Sequence, residues 1–384
     1  MAKLDIVAKI KLEDFLKANL ARRPFLPETL LKKELGIGSG QRAKYFNWGR
    51  NALYYLFKKL KYQTIAFPAF TCPILTEAAQ KAGKKVVLVE ADLDTFNLEI
   101  DKIPSETECL VAVHTFGNPL DLDLIRKRLK SIFIVEDCAH ALYSSIRGDD
   151  VGKEGEVVLF SLYKQVPNIN GAVLLTSTNY PQVFSRLHPG GDFLRTPREK
   201  EGDWQYFKRA VFKLNGPHQF LLDFKRRSYL PSIEPQLLNN YQPSRLVLAL
   251  FQQGFKRLKK EVARRRQIAK YYYQQAEASP FLIAQKKTPA GQPSYYHFSL
   301  RLLPRLASVR DKLVFNLRRK GIFLARLWPE APITQKRYKQ YQSSCPQALL
   351  LIRTVVNLPI KSEYKEDDVK QLFEAINQEI KELS

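Results

Sequence analysis

Cysteine is scarce in this chain and nowhere closely paired: Cys72, Cys109, Cys138 and Cys345 are its four, widely spaced and without a CxxC. This excludes a zinc ribbon and a dense disulfide framework, and a reducing compartment fits best. Long apolar runs are missing too. No stretch approaches the ~18 residues of a membrane span, and MAKLDIVAKIKLEDFLKANLARRPFLP has no apolar core long enough for a secretory signal. A soluble, cytoplasmic protein is expected. Acid is in deficit, with 38 Asp+Glu against 62 Lys+Arg and a formal charge of +24. Such an excess favours nucleic acid, an anionic membrane face or phosphorylated small molecules, and charge alone does not choose among them. There is no internal repeat and no low-complexity tract.

What is present suffices for a large compact domain and a smaller one: 384 residues, 45% of them hydrophobic. From Thr64 to Thr176 short β-branched runs alternate with helical patterns. TIAF, VVLVEAD, ECLVAVHTF, IFIVED, VVLFSL and GAVLLTS read as strands, with helices in ILTEAAQKAG and DLDLIRKRLK. The alternation predicts a mostly parallel sheet flanked by helices, with ligands at the carboxyl ends of the strands. Ahead of it, Leu53, Leu56, Phe57 and Leu60 follow helical spacing just after Trp48-Gly49-Arg50. A glycine there either lets backbone N–H groups meet an anion or merely ends a loop. Residues 181–235 mix aromatics, prolines and basic residues without a sheet period, and read as short helices and loops. A long helix over residues 246–278 follows, carrying KRLKKEVARRRQIAKYYYQQ. YYHFSLRLL, IFLARLW and VVNLPI then read as strands, with helices in SVRDKLVFNLRRKG and EDDVKQLFEAINQEIKEL, giving a second α+β domain. The expected division is an extension over 1–44, a large domain with its basic linker over 45–235, and the long helix with a small domain over 236–384.

Two segments carry candidate chemistry. IFIVEDCAHALYSS closes a buried strand with Glu136 and Asp137, followed by His140. An acid in that place can face a ring nitrogen, a metal or only a helix cap. VVLFSLYKQVPNINGAVLL puts Ser161 and Lys164 just beyond another strand, before a turn at Gly171. His114, at a strand end, either lines the site or is satisfied within the core.

Taken in order, GRNAL, PAFTC, EADLDTFNLEI, VHTFGNPLDLDLI, VEDCAHA, FSLYK, NGAVLL, NNYQPSRLVLALFQ, RRRQIAKYY and VVNLPI resemble the DegT/StrS-like sugar aminotransferases, from about Tyr45 to the end. The resemblance implies the pyridoxal 5'-phosphate (PLP) transferase fold of type I, a three-layer α/β/α large domain with a smaller C-terminal α+β domain. It makes Lys164 the Schiff-base lysine and Asp137 the partner of the pyridinium nitrogen, and puts His140 near the cofactor's phenolic oxygen. Gly49, Arg50, Asn51 and Ser161 become phosphate ligands, and Asn240 reaches the phosphate of a neighbouring subunit in a homodimer. The implied reaction moves an amino group, commonly from glutamate as the amino-acid donor, to a nucleotide-linked keto-sugar for polysaccharide or glycoconjugate synthesis.

Other readings remain beside it. One is a degenerate PLP-fold protein whose basic surface holds nucleic acid or an anionic membrane; retention of Asp137, Ser161, Lys164 and Asn240 argues against it, and nucleic acid is not the expected partner. A PLP-dependent sugar dehydratase is another, but that variant typically has histidine in place of the lysine. Two departures stand out. The stretch between Ser161 and Lys164 is short, leaving Lys153 in DDVGKEGEVV as a rival. Cys72 occupies the place of the usual ring-stacking aromatic, with Phe70 the nearest aromatic. The lysine amine is expected to have a depressed pKa, through desolvation and nearby positive charge.

Overall fold

The computed structural model describes residues 10–20, 42–176, 243 and 245–384. A seven-stranded sheet organises the large domain: β1 (Arg42–Phe46), β2 (Thr64–Pro68), β3 (Lys85–Val89), β4 (Cys109–Val113), β5 (Phe133–Asp137), β8 (Val157–Ser161) and β9 (Ala172–Thr176). Their order is β1-β9-β8-β5-β4-β2-β3. The pairs β2–β3, β2–β4, β4–β5 and β5–β8 are parallel, and β9 runs antiparallel to both neighbours. All five residues of β4, β5, β8 and β9 are buried, as expected of strands covered on both faces. Three two-residue strands, β6 (Ser145–Ile146), β7 (Asp149–Asp150) and β11 (Gly291–Gln292), make a small separate sheet.

Helices α2 (Gly49–Lys59), α3 (Pro73–Lys81) and α4 (Leu122–Arg128) supply the connections among these strands. Proline opens α3, where a missing N–H costs nothing, and the Asp121 carboxylate caps α4 by accepting from the Leu124 N–H at 3.2 Å. α1 (Leu12–Leu20) lies against the long helix α5 (Arg245–Ala278), where Asp14 pairs with Arg257.

α5 joins two cores. Phe251, Phe255, Leu258 and Val262 pack under the sheet beside β8 and β9, whereas Ile268, Ala269, Tyr272 and Ala276 belong to the C-terminal core. With 34 residues at ~1.5 Å each the helix is about 50 Å long, enough to run beneath both. The C-terminal unit contains an antiparallel sheet of β10 (Leu282–Ala284), β12 (Phe298–Leu302) and β13 (Val355–Leu358), with helices α6 (Arg310–Arg319), α7 (Pro346–Thr354) and α8 (Glu366–Leu383). In α8, Val369, Leu372, Phe373, Ile376 and Ile380 form the apolar stripe, and three acids occupy its first turn, where the helix dipole favours negative charge.

Expectation and structure differ in places. β1 crosses the boundary drawn at residue 44. IFLARLW, expected as a strand, pairs with β13 only at Ala325 and Asn357. There the Asn357 side chain accepts the Leu327 N–H at 2.8 Å, taking the place of a further backbone ladder bond. Residues 181–235, expected as short helices and loops, lie wholly outside the described residues.

Candidate active site

The site begins with a two-residue divergence at the end of β5, because neighbouring side chains in a strand point to opposite faces. Glu136 turns into the wall. Its carboxylate accepts N–H groups from Gly152, Glu154 and Gly155 at 2.6, 3.2 and 2.8 Å, and His114 Nε2 approaches to 3.0 Å. Burial pushes its pKa up, but the bonds from His114, Gly155 and Gly152 outweigh that and hold it below the usual carboxylate range. His114 Nδ1 accepts the Leu120 N–H at 2.8 Å, so Nε2 carries the proton that Glu136 receives. His114, Glu136 and Cys138 place potential ligand atoms within 4.8 Å of one another. The five donors already directed at Glu136, including the Cys138 thiol, leave that group no role as a metal centre. His114 borders the cleft, yet both its ring nitrogens are satisfied within the core.

Asp137 faces the other way, into the cleft at the carboxyl end of the parallel strands. One oxygen accepts the Ala139 N–H at 2.9 Å, which fixes the carboxylate plane. Burial pushes its pKa up to about 6, against the pull of the Ala139 N–H, His114 and Lys164. At neutral pH it is mostly ionised. One cleft collects Gly49, Arg50, Asp137, His140, Ser161 and Lys164, six of the residues expected at a single site. Asn51 lies beside it, buried. Lys153 is exposed and does not line the cleft, and Asn240 lies outside the described residues.

At one end of this cleft α2 begins, and its N-cap residue Trp48 supplies no side-chain cap for the leading N–H groups. Among the described residues, the buried hydroxyls of Ser161 and Thr71, both lining the cleft, have no hydrogen-bond partner, nor do the amide atoms of buried Asn51. Buried polar atoms left without partners are costly unless a ligand satisfies them. A helix N-terminus with neighbouring hydroxyl donors suits a phosphate, so these residues fit the phosphate end of PLP. Thr71, inside PAFTC, is a site residue that the sequence reading does not include. What singles it out is its burial without a partner, which no sequence pattern displays.

Lys164 follows Ser161 in the turn after β8, with Nζ 5.4 Å from the centre of the Tyr163 ring. Its pKa is raised, first by the Tyr163 phenol and against the effect of burial, with Tyr296, the Cys72 thiol and Asp137 adding to the rise. This corrects the expected depression: acidic groups, and not cations, dominate around the amine. His140 is held neutral by burial, reinforced by Lys164 and His297. Its ring stacks on Tyr296 at 4.5 Å and lies nearly parallel to Trp328 at 5.6 Å.

Trp328, an aromatic that the sequence did not single out, also reaches the cleft. It comes from the C-terminal unit and stacks on Phe116 at 4.6 Å. Phe70 instead packs edge-on behind Trp328 and Phe116 and does not line the cleft.

Comparison with known proteins agrees with this architecture. A sequence profile of the DegT/DnrJ/EryC1/StrS aminotransferase family matches residues 47–175 and 225–377. A dTDP-3-amino-3,6-dideoxy-alpha-D-galactopyranose transaminase of Aneurinibacillus thermoaerophilus is 25% identical over 306 residues, 77% of this chain and 73% of that protein. Among solved structures, an E. coli GDP-4-keto-6-deoxy-D-mannose-3-dehydratase with bound hydrated PLP superposes with a TM-score of 0.74 at 18% identity, covering 98% of this chain and 100% of that one. Helicobacter pylori PseC, an aminotransferase involved in the biosynthesis of pseudaminic acid, gives 0.72 at 15% identity over 100% and 99% of the two chains. The profile covers well over half of the chain, so this protein belongs to the DegT/DnrJ/EryC1/StrS aminotransferase family and is an enzyme of the PLP-dependent transaminase class.

Proposed function

We propose that the protein transfers an amino group from glutamate to a nucleotide-linked keto-sugar, with Lys164 as the catalytic lysine and Asp137 as the partner of the cofactor ring. The observation that carries this reading is the convergence of Lys164, Asp137 and the unpartnered Ser161 and Thr71 hydroxyls on one cleft. The sugar substrate is argued from relatives that act on such compounds, and the basic chain suits a diphosphate-bearing ligand.

PLP bound in this cleft supplies an electron sink for breaking the substrate's Cα–H bond. The first N–H groups of α2, around Gly49, Arg50 and Asn51, hold the phosphate together with the Ser161 and Thr71 hydroxyls. Asp137, already ionised and held by Ala139, keeps a proton on the ring nitrogen. His140, neutral and clamped between flat neighbours, is suited to a hydrogen bond at the phenolic oxygen and not to acid–base work. Lys164 Nζ anchors the cofactor and then moves a proton at the reacting carbon as a general base and acid. Trp328 and Tyr163 wall the cleft and limit water. Asn240 is proposed to complete the phosphate site of a partner subunit in a homodimer.

Borohydride reduction of the PLP-loaded protein followed by peptide mapping tests the assignment. A pyridoxyl label on Lys164 is expected. A label on Lys153, or on no lysine, overturns it.

A further inference from the structure

The lysine turn is short, and α5 grips it along one face of the helix. Near the start of α5, the Val247 carbonyl accepts from the Asn168 side chain at 2.9 Å. Two turns on, Gly254 has no side chain: a Cβ there would stand 2.4 Å from Val166 Cγ1, so glycine permits the close approach. Three turns further, Arg265 reaches Gln165, the residue next to Lys164, with Nη2 at 3.4 Å from Oε1. Arg265 lies between Val262, in the core beneath the sheet, and Ile268, in the C-terminal core, and is buried at the seam of the two. Its other contact is the Tyr295 carbonyl, 2.9 Å from Nη1.

A guanidinium only donates, so the Gln165 oxygen must face Arg265 and the amide nitrogen must point away from it. That nitrogen donates to the His140 carbonyl and to Ser294 Oγ, the latter at 2.9 Å. Ser294 Oγ in turn donates to the same His140 carbonyl at 3.0 Å. The space around this knot is closed, since a Cβ on Gly117 would meet Ser294 Oγ at 2.7 Å and the His140 oxygen at 2.8 Å. One side chain thus ties the Lys164 turn, the His140 turn and the C-terminal segment before β12.

We propose that Gln165 is a positioning residue for the transamination: its amide fixes the Lys164 turn against the His140 turn, and Arg265 sets the direction in which that amide points. The inference rests on the reading of Lys164 as the cofactor lysine. It also accounts for how a shortened turn holds its lysine in place, since anchoring to α5 and to the C-terminal unit replaces the missing loop residues.

Two variants separate positioning from mere packing. Gln165→Met keeps the volume and removes all three hydrogen bonds. Gln165→Glu retains an acceptor for Arg265, as a charge-assisted pair, but cannot donate to the His140 carbonyl. Since a misplacement of about 1 Å can cost roughly 100-fold, both variants are expected to lose ten- to 100-fold in kcat, with the KM for the keto-sugar within about threefold of wild type. The pH titration of the visible absorbance of lysine-linked PLP should shift in both. Gln165→Glu turns a carboxylate oxygen toward the His140 carbonyl and should lower the thermal midpoint of the holoenzyme, so kcat and the absorbance titration are read well below each variant's midpoint, and Gln165→Glu decides should Gln165→Met fail to fold. Wild-type kcat and an unchanged absorbance titration in Gln165→Glu overturn the proposal, as does full recovery of kcat by Glu of what Met loses. If the wild-type protein itself shows no lysine-linked PLP, the reading of Lys164 fails and the positioning role with it.

Discussion

Glu136 and Asp137 are adjacent acids with opposite assignments, and changing each to its amide should give opposite phenotypes. In Glu136→Gln one carboxylate oxygen becomes an NH2 group facing donors, either Gly152, His114 and the Cys138 thiol or Glu154 and Gly155. Hydrogen bonds to a charged group contribute about 1.5–3 kcal/mol each, and buried donors left unpaired add a penalty, so a loss of about 4 kcal/mol is reasonable. With an unfolding entropy of about 2.1 cal/mol/K per residue over 384 residues, this lowers Tm by roughly 5 °C for unfolding as one unit. The pH dependence follows from the lowered pKa of Glu136. Its contribution is present above the unfolded carboxyl value of about 4.3 and is lost as pH falls through the lower folded value, so the variant should show a flatter acid limb.

Asp137→Asn, by contrast, removes a charge whose burial is unfavourable in the free protein, as its raised pKa shows. The Ala139 N–H keeps an acceptor, and Tm of the apoprotein should hold or rise slightly. The loss appears in turnover. If the missing interaction with the ring nitrogen is a charge-assisted hydrogen bond of about 1.5–3 kcal/mol, kcat falls roughly ten- to 150-fold. Scanning calorimetry of the apoproteins and steady-state transamination of the PLP-loaded forms measure both. An Asp137→Asn apoprotein that melts as early as Glu136→Gln, or a Glu136→Gln protein with unchanged Tm, would refute the division of labour.

Lys164→Ala should bind PLP without a borohydride-fixable link and lose at least about 10²–10⁴-fold in turnover, since anchor and proton carrier disappear together. Ser161→Ala and Thr71→Val should each weaken PLP binding roughly two- to tenfold in equilibrium titration, from about 0.5–1.5 kcal/mol per hydroxyl, with little change in Tm. Sedimentation should show a homodimer that loses cofactor affinity in Asn240→Ala; a fully active monomer would contradict the shared phosphate site.

The sequence displayed the parts of this fold that have a period. β2, β4, β5 and β8 are apolar runs between turn signals, and the α5 and α8 stripes recur every three or four residues. β1 was not legible, because Arg42 and Lys44 interrupt its pattern and only pairing with β9 makes it a strand. β6, β7 and β11 are two residues each, too short to show any period. The site residues were found by motif order, since Asp137, Ser161 and Lys164 stand at strand ends. Trp328, Tyr296 and Gln165 were missed for one physical reason: they gain their places through contact between the C-terminal unit and the sheet, across more than 120 positions of sequence, and nothing local records it.

The electrostatics of Lys164 show where such long-range contact changes the chemistry. Reading the sequence alone, one expects positive charge around the amine and a depressed pKa. Tertiary packing instead brings Tyr163, Tyr296, Cys72 and Asp137 to it, and its pKa rises. An ordinary lysine is neutral in only about one molecule in a thousand near pH 7.4, and here the fraction is smaller still. Only the neutral amine attacks a carbonyl, so the rate at which apoprotein forms its lysine link with PLP is set by that fraction. Because the group loses its proton only above the ordinary lysine range, the rate should climb about tenfold per pH unit from pH 7 to 10. A depressed lysine would give a plateau instead, beginning near its pKa. Stopped-flow absorbance at constant ionic strength distinguishes the two, and because a phenol acts on its neighbour's charge only as phenolate, Tyr163→Phe should raise the rate at alkaline pH, by removing the largest contributor to the shift, and leave it little changed at neutral pH. A flat profile, or a Tyr163→Phe protein with unchanged kinetics, would show that these phenols do not hold the proton on Lys164.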